Sequence, residues 1–484
     1  DTIDNTRSYG NNPSTPQKAG GRVMSIKSNL YYSALLTFST YLVPLLVFPY
    51  ISRVLGAESI GAIDTVDNII DYSILFSMMG MSTLGIREVA KSKSDPKALQ
   101  ATFNDLFALN AISTGIVFLL LVLATILLPA MHGRIDLLAI GGIKLLANLF
   151  WIEWLYRGLE NFKYITLRSI VVRVLFIVSV YIFVRQQHDY IIYYALFVGV
   201  VVLNAICNWT HKKSIVSLQW RNCNLKKYVK PFIVLGLFAM LSAVYTKLSM
   251  PVLSFTCSDQ DAGYYATATR MYQVIIALIS SLISAIIPRM SVLIKEGKTA
   301  EIERMTKMAF QLLFFIAFPV IIFMELFTPD IILLFAGKGF EQAITPMRIV
   351  MIQVLVIGTE QIFILQLLIP LKRDKWVVYS GVAGVAVWAI LSAILVPRFH
   401  AIGSAIVWVS AELTVLVCAS FEVKRVLGFT FPWGYFRKGI LIALPYIGFC
   451  ILSKMVFANV LFQLGGASVL FLIYAAFLWK RVKL

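Results

Sequence analysis

The chain has 484 residues, 59% of them hydrophobic and 14% charged, and a net charge of +18. So low a charged fraction, against about 25% in soluble domains, excludes an ordinary soluble globular protein. The cations sit in short segments between apolar runs, not on one polar face, so the positive charge does not mark a nucleic-acid binder.

Residues 1–23, "DTIDNTRSYGNNPSTPQKAGGRV", are polar and rich in Gly, Pro, Asn and Thr. They are read as a polar leader or disordered tail. From Met24 onward the hydrophobic pattern predicts fourteen helices, at about 28–52, 60–86, 101–128, 137–158, 165–184, 190–209, 231–256, 262–287, 306–328, 346–370, 375–396, 400–421, 438–457 and 465–481. Each can span about 30 Å of hydrocarbon at about 1.5 Å per residue. An even number puts both termini on one side. Most of the 43 Lys and Arg residues fall in segments on that side, which predicts a cytoplasmic location for both termini. The opposite loops carry few cations, among them Arg53, Arg134 and Lys338. The longest of them, about 328–346, leaves no room for the catalytic domain of a polymerase or glycosyltransferase, and the chain is read as a transporter, not an enzyme. The five cysteines lack the paired spacing of a disulfide framework or a zinc site.

An internal repeat is visible at an offset of 202 residues, pairing Pro49 with Pro251, Gly61 with Gly263 and Arg87 with Arg289. In both copies a Pro-containing helix leads through an acidic turn ("AESIG", "SDQDAG") into a helix closed by Arg. The expected fold is an all-α polytopic membrane protein with two pseudo-symmetric six-helix lobes, residues 24–215 and 216–425, and an extra helix pair in 426–484. Parallel repeats of this kind build alternating-access transporters.

Ionisable residues at membrane depth are costly and usually face a bundle interior or water. In "GAIDTVDNIIDYSILF", Asp64, Asp67 and Asp71 recur at i, i+3 and i+7 and share one face of helix 2. Asp64 lies about 6 Å below the start of that helix and is read as an interfacial carboxylate favoured by the helix dipole. Asp71 lies near mid-membrane and requires an ion pair or a wet cavity. Lys247 is central in helix 7, and Arg270 lies in helix 8 at the repeat position of Asn68, so equivalent helices carry opposite charge. Either these cations neutralise Asp67 or Asp71, or they meet an anionic substrate group, ideally a phosphate. The two readings are compatible if the pairing is exchanged during transport. Glu360, beside Gln361, marks a polar patch in the second half. Lys144 and Glu412 also lie at membrane depth, with no role assigned.

Several stretches carry a family pattern. They are "VPLLVFPYISRVLGAESIGAID" with Pro49, Arg53, Gly56 and Gly61; "VYTKLSMPVL" and "GYYATATRMYQ" with Lys247 and Arg270; "LLFAGKGFEQAITPMRI"; and "VPRFHAIGSAIVWVSAE". In order and spacing they resemble the Wzx-type polysaccharide-unit flippases of the multidrug/oligosaccharidyl-lipid/polysaccharide exporter superfamily. The chain departs from that pattern at Ser249, where an acidic residue is usual, and at His400, where Gly is usual. The resemblance implies a central cavity lined by helices 1, 2, 7 and 8 in a bacterial inner-membrane protein. The implied substrate is an undecaprenyl-diphosphate-linked oligosaccharide carried across the bilayer, with a polysaccharide polymerase and other assembly proteins downstream. Lys247 and Arg270 would bind the diphosphate. Arg53 would act as a gate or phosphate contact at the outer end, and Asp64, Asp67, Asp71 and Glu360 as ion partners or coupling sites. No cofactor is implied; coupling to protons, sodium or the membrane potential is open. Lipid II flippases and multidrug antiporters of the same superfamily are the alternatives.

Overall fold

A chain that must satisfy its backbone polar groups inside hydrocarbon is confined to helices or closed barrels, and this one is helical. The structure, a computed structural model, describes residues 26–219 and 224–482, and the predicted leader 1–23 lies outside the described residues. In chain order the helices are α1 (Ile26–Met78), α2 (Met81–Ser92), α3 (Pro96–Leu127), α4 (Pro129–His132), α5 (Ile135–Trp151) and α6 (Glu153–Gly158). They continue with α7 (Phe162–Phe183), α8 (Tyr190–His211), α9 (Lys226–Lys247), α10 (Ser249–Thr256), α11 (Asp259–Lys295) and α12 (Thr299–Phe335). After α13 (Ile344–Met351) and α14 (Gln353–Gln361) comes a π-helical segment, Ile362–Leu368, and then α15 (Asp374–Leu427), α16 (Trp433–Val456) and α17 (Val460–Val482). No strand occurs among the described residues.

Ten segments among the described residues are long and apolar enough to cross a membrane, and two of these, of 62 and 54 residues, are long enough to cross twice. Each contains a sharp break. Gly56 in α1 adopts φ 76° and ψ 173°, and His400 in α15 adopts φ 51° and ψ −128°. The Gly56 conformation is one that a side chain would obstruct. The predicted helices 1 and 2 are therefore two limbs of α1, and helices 11 and 12 two limbs of α15. Predicted helices 7 and 14 fall on α9–α10 and α17, which are helical but not among those ten segments.

Predicted helix 7 divides between α9 and α10 because Pro251 cannot donate to the carbonyl four residues back, which belongs to Lys247. Predicted helix 10 divides at Ile352 and ends in the π-helical segment. Elsewhere the termini follow ordinary capping. Asp95 accepts from the Lys97 amide at 2.9 Å ahead of α3, with Pro96 in the first turn, and Ser258 accepts from the Asp261 amide at 3.0 Å ahead of α11.

The second limb of α1 packs on α11, and the repeat explains how. Gly61 and Gly263, equivalent in the two halves, meet at the Gly56 end of the bundle, where a Cβ on Gly61 would collide with the Asp259 carbonyl and one on Gly263 with the Ala57 carbonyl. At the opposite end, the Gly80 amide donates to the Phe232 carbonyl at 3.2 Å, and Gly236 packs directly on Met79. Between these two contacts the helices leave a central space.

A methyl group at position 263 must push backbone against backbone. Gly263→Ala is expected to cost about 1–3 kcal/mol, seen as a lowered midpoint of thermal unfolding in detergent. Gly115→Ala in α3, where a Cβ meets nothing within 4 Å, is expected to leave the midpoint unchanged or raise it.

Candidate functional site

The central space is a cavity of about 530 Å³ whose wall includes Asp64, Asp67, Asp71, Lys247 and Arg270. The three carboxylates descend one face of the α1 second limb, as their spacing predicts. Each is met by a cation from a different helix. Arg270 of α11 places Nη2 at 2.6 and 2.7 Å from the two Asp64 oxygens, and its guanidinium lies over the Phe48 ring, 4.6 Å from the centroid. Lys144 of α5 places its ammonium 2.6 Å from Asp67 Oδ1 and 2.7 Å from Asp71 Oδ1. Lys247, the last residue of α9, reaches Asp71 Oδ2 at 2.7 Å. The Tyr194 hydroxyl donates to Asp67 Oδ1 at 3.1 Å.

The cations differ in accessibility. The Lys144 side chain is 7% exposed, whereas Lys247 is 40% and Arg270 23% exposed. Lys144 is a fixed internal counter-ion; Lys247 and Arg270 face the cavity. They also differ in origin. Lys144 comes from the first half of the chain together with the three aspartates, so that side holds three carboxylates and one ammonium. Lys247 and Arg270 come from the second half and supply the two missing positive charges across the α1–α11 interface.

These positions correct two expectations. Asp64 is not an interfacial carboxylate: its side chain is 16% exposed and is held by Arg270 from the facing lobe. Arg270 accordingly pairs with Asp64 and not with Asp67 or Asp71. Lys247 pairs with Asp71 as one of the two readings required. Ser249, where the family pattern favours an acid, accepts from the Trp388 indole at 2.9 Å.

Sequence reasoning left Lys144 without a role. The available signal was the glycine pair before it, in "AIGGIKLL": a Cβ on Gly141 would strike the Ile70 side chain, so the glycine lets α5 approach α1 closely enough for Lys144 to reach both aspartates.

Arg53 lies outside the cavity. Its guanidinium donates to the carbonyls of Leu333 at 3.3 Å and Phe335 at 3.5 Å, and also to those of Leu334 and Pro49. It thereby caps the C-terminal end of α12 with a cation, across the two halves at the Gly56 end. It lies apart from Lys247 and Arg270, at the Gly56 end. Glu360 is also apart from the aspartate network and lies against Glu412.

Helices long and apolar enough to cross a membrane, gathered around a charged cavity, define a multi-pass membrane protein. Over residues 26–294 the chain matches the polysaccharide biosynthesis protein family, and it belongs to that family. It is 25% identical over 280 residues to a protein of Escherichia coli (strain K12) named "Putative O-antigen transporter", covering 55% of this chain and 65% of that one. A protein of the same name from Shigella dysenteriae is 24% identical over 281 residues, covering 55% and 67%. The match thus spans about two thirds of the length of these curated relatives. Among solved structures, lipid II flippase MurJ in an inward closed conformation is similar with a TM-score of 0.72 and 16% identity, over 94% of this chain and 100% of that one. An inward-facing multidrug resistance MATE family transporter of the MOP superfamily follows at 0.65 and 15%, over 83% and 98%. At these identities the likeness is one of fold.

Removing Lys144 leaves the half-buried Asp67 without a cation and Asp71 with Lys247 alone. Lys144→Met is expected to destabilise the protein by about 3–5 kcal/mol, measured as loss of the folded monodisperse species on heating in detergent. Adding Asp67→Asn to that variant is expected to recover most of the loss, since Asp71 keeps Lys247.

Proposed function

We propose that the chain is a flippase for undecaprenyl-diphosphate-linked oligosaccharide, working by alternating access in the bacterial inner membrane with both termini in the cytoplasm. The observation that carries this reading is the pair of cavity-facing cations, Lys247 and Arg270, each held by a carboxylate of the opposite lobe. A diphosphate diester carries two negative charges, as many as the two carboxylates together, and its non-bridging oxygens can accept from both cations. Arg offers it a planar fork of donors and Lys a mobile point charge. Opening the lobes parts Asp64 from Arg270 and Asp71 from Lys247; a diphosphate arriving at that moment keeps both cations neutralised.

The division of labour follows from solvation. The polyprenyl chain stays in the bilayer, while the diphosphate and sugars, which hydrocarbon excludes, cross through the polar cavity. The translocated unit would then pass to a polymerase and other assembly proteins. A lipid II headgroup carries the same diphosphate handle and would use the same cations. A cationic drug fits less well, because Lys144 already occupies the carboxylates it would need.

The test is flipping of labelled lipid-linked oligosaccharide in proteoliposomes. Arg270→Ala and Lys247→Ala are each expected to reduce flipping about tenfold or more, the equivalent of one lost charge-assisted hydrogen bond. Asp64→Asn combined with Arg270→Ala removes the stranded carboxylate and is expected to restore stability without restoring flipping. If both single variants flip at the parent rate with unchanged substrate affinity, the diphosphate assignment is wrong.

A further inference from the structure

The end of the bundle opposite Gly56 carries a basic and aromatic patch that the cavity does not use. It forms where the turn after the π-helical segment enters α15 and where the same long helix ends. Arg373 immediately precedes α15, and Arg425 lies in its last turn. Lys372, Lys375 and Lys424 flank the two arginines and are exposed. Five cations here face two acids, Asp374 and Glu422.

The arginines are fixed in place, unlike basic residues scattered singly through loops. The Glu422 side chain is 1% exposed and sits between them, with Oε1 3.8 Å from Arg373 Nη1 and Oε2 3.7 Å from Arg425 Nη1. Neither carboxylate oxygen makes a hydrogen bond, so Glu422 offsets one positive charge without occupying the donors of either guanidinium. Arg425 also lies over the Trp376 ring, 5.7 Å from its centroid. The two arginine side chains stay 47% and 69% exposed. Two planar forks of donors with one charge left uncompensated fit a phosphodiester, which carries a single negative charge.

The patch sits at headgroup depth. His400, at the break in α15, lies at the Gly56 end, where its Nδ1 is 3.0 Å from Asp261 Oδ2. From that break to Leu427 the helix is about 40 Å long at about 1.5 Å per residue, against about 30 Å of hydrocarbon. Its far end therefore projects into the interface. Trp376 and Tyr379 pack edge-on and are exposed there, where amphipathic rings are favoured. From Arg425 back towards the hydrocarbon, α15 presents Phe421, Val417 and Leu413 at successive steps of four residues, all of them exposed. Cations, aromatic rings and apolar row thus follow one another in the order of a phospholipid's phosphate, glycerol and acyl chain.

We propose that this patch binds an anionic phospholipid of the bilayer, with its phosphodiester between Arg373 and Arg425 and an acyl chain along Phe421, Val417 and Leu413. A zwitterionic lipid offers the same phosphate but brings an ammonium group that the surrounding cations repel. The bound lipid joins the entry of α15 to its end. The site does not depend on the flippase reading.

Native mass spectrometry of the full-length protein in detergent, titrated with phosphatidylglycerol or phosphatidylcholine, tests this. The parent is expected to retain phosphatidylglycerol at about ten times the occupancy of phosphatidylcholine. Arg373→Gln, Glu422→Gln and Arg425→Gln together remove the site without stranding the buried carboxylate, and are expected to bring the two occupancies level. Arg289→Gln with Lys295→Gln removes two cations elsewhere at the same end and is expected to leave the preference unchanged. Should the triple variant fail to fold, Lys372→Gln with Lys424→Gln keeps the three fixed side chains and is expected to lower the preference about threefold. Equal occupancies in the parent, or a preference that survives in these patch variants, overturn the site. A preference lost equally in the Arg289 and Lys295 variant also overturns it, since the general charge of that end then suffices. Displacement of phosphatidylglycerol by millimolar inorganic phosphate marks a free-anion site, and displacement by equimolar polyprenyl diphosphate marks a substrate site. Either result overturns the assignment to a bilayer phospholipid.

Discussion

Three carboxylates on one helical face inside a membrane must be neutralised, and the sources of that neutralisation organise the molecule. Lys144 supplies part of it from within the same lobe, sealed at the end of a close approach between α5 and α1. Arg270 and Lys247 supply the remainder from the facing lobe. Breaking a buried pair by removing one partner is far more costly than separating an exposed one. The two halves are thus joined across the cavity by ion pairs.

The packing complements this arrangement. Glycines brought together by the internal repeat allow α1 and α11 to touch at the Gly56 end, and a different glycine contact brings Met79 against α9 at the other. Neither contact uses charge. The cavity between them is where the charges are, so closure by shape and neutralisation by ion pairing are assigned to different residues. Arg53, bound to main-chain carbonyls of α12, joins the two halves at the Gly56 end.

Much of this was legible in the residues. Hydropathy gave the passes because the apolar runs are long, and the offset of 202 residues anticipated the meeting of Gly61 with Gly263. The Asp71–Lys247 pair is one of the pairings the sequence allows, because both residues lie mid-helix with opposite charge. Asp64 was misplaced for a physical reason: distance from a helix end measures depth, not what faces the residue, and α11 covers that end of α1 with Arg270. Lys144 has no role legible in the sequence because its partners lie 73 and 77 residues away and depend on the angle between helices, which periodicity does not encode. The breaks inside helices 7 and 10 were hidden for a similar reason. Their hydropathy is continuous, and only the geometry of Pro251 and the π-helical segment interrupts them.

The unequal division of the cations has an electrical consequence. While the lobes touch, the aspartate network is neutral; when they part, one side retains two excess negative charges and the other two positive ones. Each charge that moves along the membrane normal does work against the potential, about 2.3 kcal/mol per elementary charge for each 100 mV traversed. The two walls of the cavity would feel that field in opposite senses. Under the proposed alternating access, a rocking motion between them would reorient a dipole, and the membrane potential would then bear on which way the cavity opens.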